Sequence, residues 1–410
     1  MTGRSMVRVK ESHLMADIVT DLRWDPYDVT IANDPYPVYR RLRNEAPLYY
    51  NEEYDFWALS QWDDIEQGLA DHETFISGRG AILELIKMDL TFPPGVVIFE
   101  DPPVHNVHRR LMAGVFTPRK VAALEAQIRE FTQRTLDPLV GSTSFDVIKQ
   151  IAQPVPMKTI AWLLGIPDDR QEELNQQTAG NLQTEAGKPM AEAGDMLGSA
   201  LAEHVEWRMA NPGDDIMTML IQAEFEDETG RRRHLSKEEL QTYCAVIGSA
   251  GSETTNRLIG WIVSTLAEHP DQRKDLVDNP ELIPNAVEET LRYQPPAQFI
   301  ARYAVKDTTW HGRTVPAGSV VEFLVASGNR DERRFPNGDT FDVRRSVPQL
   351  QSFGRGIHFC LGASLARLEA RVVLEELLLR FPAWDVDLTQ ARLSSTSTVR
   401  GWESLPITVR

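Results

Sequence analysis

The sequence predicts a mainly α chain with small β-sheets to one side, an α+β architecture. Three observations carry that expectation. Ser236-Lys237-Glu238-Glu239 reads as a capping box, in which serine hydroxyl and glutamate carboxylate satisfy each other's free amides. The next clear stop is Pro270, so about thirty residues, roughly 45–50 Å, form one helix long enough to cross a whole domain. Behind a glycine-punctuated loop, Leu361, Leu365, Leu368, Val372 and Leu379 recur at roughly helical spacing, which starts a second helix at or just after Cys360. The β-type runs, by contrast, are all short.

Taken in order, Asp34-Pro35 opens a helix near Tyr36–Asn44. Leu48–Tyr50 and Phe56–Leu59 flank a polar Asn51–Glu53 turn and read as a β-hairpin, and Trp62–Ala70 is helical. Ile76–Glu100 departs from both periods: apolar Ala81–Ile86 and Val96–Phe99 are separated by Phe92-Pro93-Pro94-Gly95. Long apolar loops are uncommon and often functional. Asp101-Pro102-Pro103 starts a helix with His105 and Arg109 four apart on one face. Helical patterns continue through Val121–Leu136, Asp146–Leu164, Asp168–Thr178 and Pro189–Met209, the last two joined by a polar link at Gly180–Lys188. Glu226–His234 is a charged turn or hairpin. After the long helix, Val287–Arg292 is helical, Thr309–His311 and Val320–Leu324 are strands around Val315-Pro316-Ala317-Gly318, and Ala383–Arg410 alternates enough for short β pairs.

Composition narrows the function. The 410 residues are 42% hydrophobic, enough for a large core, and length alone would allow two or three domains. A net charge of −17 argues against nucleic-acid binding as the main activity. Two cysteines, Cys244 and Cys360, are too few for a disulfide scaffold, so the chain reads as intracellular and cytoplasmic. No run approaches the roughly 20 apolar residues of a membrane span. Residues 1–20 carry charges throughout without a signal-peptide core, and read as a disordered tail.

The stretch Phe353-Gly354-Arg355-Gly356-Ile357-His358-Phe359-Cys360-Leu361-Gly362 delivers a cysteine to a helix start, where free amides and the helix dipole favour a thiolate. Gly354 and Gly356 permit positive φ and let the backbone lie against a flat ligand. This loop resembles the haem-ligand signature of the cytochrome P450 superfamily, Phe-Gly-x-Gly-x-His/Arg-x-Cys-x-Gly, with every specified position met. The resemblance runs from about Asp34 onward and is to the soluble bacterial type. It implies one haem-thiolate monooxygenase domain over 21–410, with haem b between the long central helix and the cysteine loop. It further implies Cys360 as the axial thiolate and metal ligand, His358 at a haem propionate, and Phe353 and Gly354 against the cofactor. Pro-Pro-x-His-x-x-x-Arg at 102–109, followed by Phe116-Thr117-Pro118-Arg119, resembles the family helix whose His and Arg, here His105 and Arg109, grip a propionate. Both residue types suit charge-assisted bonds to a buried carboxylate. Arg302 matches the family's second propionate arginine.

Mid-helix, Ala250-Gly251-Ser252-Glu253-Thr254-Thr255 puts a charge and hydroxyls among Val246, Ile247, Leu258 and Ile259, a costly choice unless the groups are satisfied or used. Glycine and threonine there can loosen the helical hydrogen bonds. The segment resembles the family's Ala/Gly-Gly-x-Asp/Glu-Thr oxygen-activation motif, which implies Glu253 and Thr254 as the catalytic proton-delivery pair and Ala250 beside the oxygen pocket. Oxygen scission to water needs ordered protons in a dry site. The resemblance implies a substrate pocket of Val246, Ile247, Ala250, Ala297, Phe299 and Ile300, capped by the Ile76–Glu100 loop, with helices 168–178 and 189–209 as a lid. Cys244 reads as packing. Glu289 and Arg292, with Arg345, resemble the family's structural Glu-Arg-Arg triad.

The expected reaction is insertion of one oxygen atom of dioxygen into a mid-sized hydrophobic molecule of terpenoid, fatty-acid or steroid type. No flavin or nicotinamide fingerprint is present, so two electrons must come from outside. The resemblance implies a ferredoxin with its NAD(P)H-dependent ferredoxin reductase, and Arg109, Arg110, Arg355, Arg367 and Arg371 are expected to give a local basic patch on the cysteine side that steers it. The competing readings are a peroxide-dependent haem-thiolate peroxygenase and a non-catalytic haem-binding sensor.

Overall fold

The computed structural model describes residues 22–171, 187–190, 201–396 and 399–410. The expected tail at 1–20 and most of the two expected lid helices lie outside the described residues.

About half of the described residues are helical, and the central element is Lys237–Glu268, 32 residues long. Its start is the expected capping box: Glu239 N donates to the Ser236 hydroxyl at 3.2 Å, and Ser236 N donates to Glu239 Oε2 at 2.7 Å. From Arg257 to Leu266 every residue is buried, so this end of the helix is enclosed on all sides. It packs against Pro154–Leu163, Ile283–Tyr293 and Ala363–Arg380 within one large apolar core.

The main sheet lies to one side. Its five strands run, in spatial order, Leu48–Asn51, Phe56–Leu59, Val320–Phe323, Ile300–Ala304 and Phe75–Ile76. All pairs are antiparallel except Phe56–Leu59 with Val320–Phe323. Because strand side chains alternate between faces, Ile300 and Arg302 share one face and Ala301 and Tyr303 the other. The C-terminal region forms the expected short pairs, Trp384–Val386 with Pro406–Val409 and Arg392–Ser395 with Arg400–Ser404.

Three expectations change. The helix expected over Val121–Leu136 divides into Pro118–Ala123 and Glu125–Leu136. The one expected over Asp146–Leu164 begins as a strand, Ser144–Asp146, widens into a π-turn at Ile148–Ala152, and becomes regular only at Pro154–Leu163. Proline lacks the amide an interior helix position needs, so Pro154 fits at a helix start rather than in its middle. The helix after the cysteine begins at Ala363, capped by Gly362, slightly later than its apolar pattern implied. Among the described residues no helix is long and apolar enough to cross a membrane.

Candidate active site

Central helix, cysteine loop and the edge of the main sheet meet at one cavity of about 280 Å³. The central helix presents Val246, Ile247, Ala250, Gly251, Thr254, Thr255 and Leu258, which recur every four residues and so lie on one face. Gly251 permits a close approach: a Cβ there would stand 2.5 Å from Ile160 Cδ1, on the neighbouring helix. Facing this wall is the loop from Ser352 to Gly362, with Ala297, Ile300 and Arg302 at the side.

The loop is shaped by its backbone. Cys360 N donates to Phe353 O at 2.9 Å and Gly354 N to Gln351 O at 2.9 Å. Gly354 and Gly356 have φ of 68° and 67°, left-handed conformations that favour glycine. At Gly356 a Cβ would also come within 2.8 Å of Leu69 O. Cys360 lines the cavity and is exposed to it, whereas Cys244 is fully buried in the core. Burial within the fold raises the Cys360 pKa, against the Gly362 and Ala363 amides and the Arg109 and Arg367 guanidinium groups. The expected preference for thiolate therefore does not come from the protein alone. A bound metal cation deprotonates a coordinating thiol.

Four cationic or basic side chains converge near the loop. Arg302 is buried, and its NH1 donates to the Ala301 carbonyl at 2.9 Å. Desolvation lowers its pKa to about 10. The His105 and His358 rings meet at 4.4 Å, with both ring nitrogens of His105 and Nε2 of His358 buried and unpartnered. Desolvation, then Arg302, His105, Arg109 and His72, push the His358 pKa down to about 2. Arg109 donates to the Phe359 carbonyl. None of these four makes an ion pair with a carboxylate among the described residues. Buried donors and positive charge without a directly paired carboxylate among the described residues form a cradle for an anionic ligand that brings its own carboxylates. Together with a thiol opening on the same space, that donor set fits a haem.

Thr254 faces the cavity, its hydroxyl donating to the Ala250 carbonyl at 2.8 Å. Thr255 and Ser252 make the same backward bond, to Gly251 at 3.1 Å and Gly248 at 3.0 Å. Three such bonds within four residues weaken this turn slightly, although the helix stays continuous from Lys237 to Glu268. Glu253 does not line the cavity; its Oε1 lies 3.2 Å from Arg257 NH2. The remaining expected wall residues, Val246, Ile247, Ala250, Ala297 and Ile300, line the space, as do Phe353 and Gly354. Phe299 stands behind it, edge-on to Trp24 at 5.9 Å. Lining residues that the sequence reading passed over include Met112, Phe116, Ile160 and Leu291. Met112 was within reach, since it follows His105, His108 and Arg109 at helical spacing.

Glu289, fully buried, accepts from Arg292 Nε and NH2, both at 2.7 Å, from Arg345 Nε at 3.1 Å and from Asp342 N at 2.9 Å. These bonds tie the helix Ile283–Tyr293 to the segment leading into the cysteine loop. The expected basic patch is largely compensated: Arg367 bonds Glu288, Arg371 bonds Glu125 and Glu375, and Arg355 pairs with Glu66.

Residues 182–399 match a family model described as Cytochrome P450. Cytochrome P450 130 of Mycobacterium tuberculosis is 34% identical over 391 residues, covering 92% of this chain and 95% of that protein. Among solved structures, P450 EryK from S. erythraea, determined as a mutant with erythromycin B, superposes with a TM-score of 0.83 at 32% identity, over 93% of this chain and 97% of that one. CYP109E1 from Bacillus megaterium, solved with testosterone, gives 0.83 at 29% identity over 93% and 99%.

Proposed function

Because the chain belongs to the cytochrome P450 family, an oxidoreductase family of haem monooxygenases, we propose that Cys360 is its axial thiolate and that Arg109, Arg302, His105 and His358 bind the haem propionates. The family uses haem b held by a cysteine thiolate, and its reaction needs an organic substrate, dioxygen and a redox partner. The observation that carries the assignment is the meeting, at one cavity, of an accessible thiol with Arg109, Arg302 and His358, none of which makes an ion pair with a carboxylate among the described residues. When bound, the haem supplies reduction of dioxygen and transfer of one oxygen atom to the substrate.

The protein's own contributions follow from its side chains. Arg302 and Arg109 offer charge-assisted bonds to propionate oxygens, and His105 and His358 offer ring nitrogens. Phe353 and Gly354 support the flat face of the cofactor. Ala250 and Gly251 leave room beside the central helix. Thr254 Oγ1, now bonded to Ala250 O, can rotate to hold a proton-bearing group in the cavity. Glu253 is the proton source behind it, after parting from Arg257. Apolar walls from Val97, Ile98, Val246, Ile247, Ala297 and Ile300 exclude water and orient the substrate.

The substrate is a mid-sized hydrophobic molecule of terpenoid, fatty-acid or steroid type. The apolar walls support this, as does the testosterone, a steroid, in one of the two solved relatives. The electrons come from a ferredoxin with its NAD(P)H-dependent reductase, in the cytoplasm. The test is the absorption spectrum of the reduced protein with and without carbon monoxide. A strongly red-shifted Soret band that is lost in Cys360→Ser and kept in Cys244→Ser is the expected result. An imidazole-type band removes the thiolate, and no haem band at all removes the enzyme reading.

A further inference from the structure

The apolar segment Gly95–Phe99 forms part of the cavity wall but belongs to no sheet or long helix. Val97 and Ile98 line the cavity, yet the segment's own order amounts to a single 3-10 turn, Val97–Phe99. Val96, Val97 and Phe99 are buried in the core, and the segment's polar anchor is Glu100. The Glu100 carboxylate accepts from Gly95 N at 2.8 Å, closing the segment on itself, and lies 2.8 Å from Nδ1 of His108 through both its oxygens. His108 is buried in the helix Val104–Ala113, next in sequence to Arg109. One helix thus reaches the cysteine loop through Arg109 and the cavity wall through His108.

The far side of His108 meets the central helix. Its Nε2 lies 3.9 Å from Glu239 Oε1 and its ring stands edge-on to Tyr243 at 5.5 Å. Glu239 is held in turn by the Ser236 amide at 2.7 Å and by Arg233 at 2.7 and 2.9 Å. Gly95, with φ of 98°, lies against the same turn: a Cβ there would stand 3.3 Å from Glu239 O and 3.4 Å from Tyr243 Cδ2. The charged and titratable groups facing His108 are therefore Glu100, Glu239 and Tyr243, with Arg233 behind Glu239. Removing the imidazole leaves a nearly buried carboxylate with one amide to satisfy it, a costly state that the segment can relieve by moving.

We propose that His108, through Glu100, is a positioning residue that holds Gly95–Phe99 as a wall of the substrate cavity and so sets the size of molecule admitted. This rests on the monooxygenase reading for the cavity's purpose, though the clamp itself needs no cofactor.

Two measurements on the full-length haem-loaded protein test it. Imidazole and 4-phenylimidazole are titrated by their Soret shifts in wild type, His108→Leu, His108→Gln and Glu100→Gln. Imidazole reaches only the iron, whereas the phenyl ring must also lie against the wall. His108→Leu is expected to change the 4-phenylimidazole dissociation constant about tenfold and that of imidazole less than twofold, with His108→Gln recovering most of the difference through its amide donor. In parallel, hydrogen exchange across residues 92–100 is expected to accelerate at least about tenfold in His108→Leu, with 363–380 unchanged. Unchanged exchange at 92–100 in both His108→Leu and Glu100→Gln overturns the clamp, whatever the spectra show. Faster exchange with an unchanged ratio of the two dissociation constants overturns its role in size selection. A wild type that takes up no haem, but whose exchange responds to the substitutions, removes the haem reading and supports the clamp.

Discussion

Glu253 and Arg257 form an ion pair one turn apart on the central helix, and this directs Glu253 away from the cavity that its neighbour Thr254 faces. Arg257 is anchored from the far side, donating to the carbonyls of Trp402 at 2.7 Å and Gly401 at 3.4 Å. Glu253 is 42% exposed at its side chain and Arg257 9%, so solvent screens the carboxylate end of the pair. It can open at little cost. Acid and hydroxyl are thus adjacent in sequence and separated in direction, the acid held by Arg257 and the hydroxyl by the Ala250 carbonyl.

Thr254→Ala removes the only part of this pair that reaches the cavity. The variant is expected to keep the carbon-monoxide spectrum and substrate affinity while diverting electrons to hydrogen peroxide. The ratio of product formed to NAD(P)H consumed should fall about tenfold, less than the roughly 10²–10⁴-fold of a lost proton transfer because electrons are diverted rather than blocked. Tight, unchanged coupling takes Thr254 out of proton delivery.

Glu253→Gln keeps the side chain's size and its acceptor for Arg257 but cannot give up a proton. Turnover is expected to fall about 10²-fold with substrate binding within twofold, and the solvent deuterium isotope effect on kcat should rise. A normal rate in Glu253→Gln would instead mean that water reaching Thr254 supplies the protons.

These directions could not be read along the chain. The capping box, the hairpin around Asn51–Glu53 and the glycine loop before Cys360 are local signals, in which residues a few positions apart bond one another, and all three formed as expected. The orientation of Glu253 depends on Arg257 meeting carbonyls about 145 residues later, at Gly401 and Trp402. Ile160 joins the cavity only because Gly251 lets its helix come close. The bond of His108 to Glu100 spans two prolines and a change of direction that no periodicity describes. Pro154, read as part of a continuous helix, in fact begins one.

Glu289 is fully buried and is the hub of four hydrogen bonds, so its loss leaves Arg292 uncompensated in the interior. Breaking one side of a buried pair costs about 3–5 kcal/mol. Glu289→Ala and Arg292→Ala should each lower the unfolding free energy by that amount, read from denaturant titration, and reduce retained haem, because the segment feeding the cysteine loop loses its anchor. The double variant should be less destabilised than the sum of the two. Additive losses would mean that the residues act separately.

Two other carboxyls set a pH dependence of opposite sign to ordinary salt-bridged acids. Burial pushes Glu322 up to about 8, with the Trp24 Nε1 bond at 2.8 Å acting against it. Burial pushes Glu369 up to about 8 as well, opposed by the Thr159 hydroxyl. Each has one carboxyl oxygen without a partner. In the unfolded chain both titrate near 4.5. Between pH 4.5 and 8 the folded state therefore holds more protons than the unfolded state. The stability contribution of each carboxyl is complete below about 4.5 and is lost as pH rises toward 8, by up to about 1.4 kcal/mol per pH unit. Glutamine keeps the shape and stays neutral. Denaturation midpoints of wild type, Glu322→Gln and Glu369→Gln at pH 5 and pH 8.5 isolate this effect, because all other groups cancel in the comparison. Each variant should gain on wild type as pH rises, by about 2 kcal/mol or more across that interval. Parallel stability curves would mean that both carboxyls ionise normally inside the fold, through water reaching the oxygens that now lack partners.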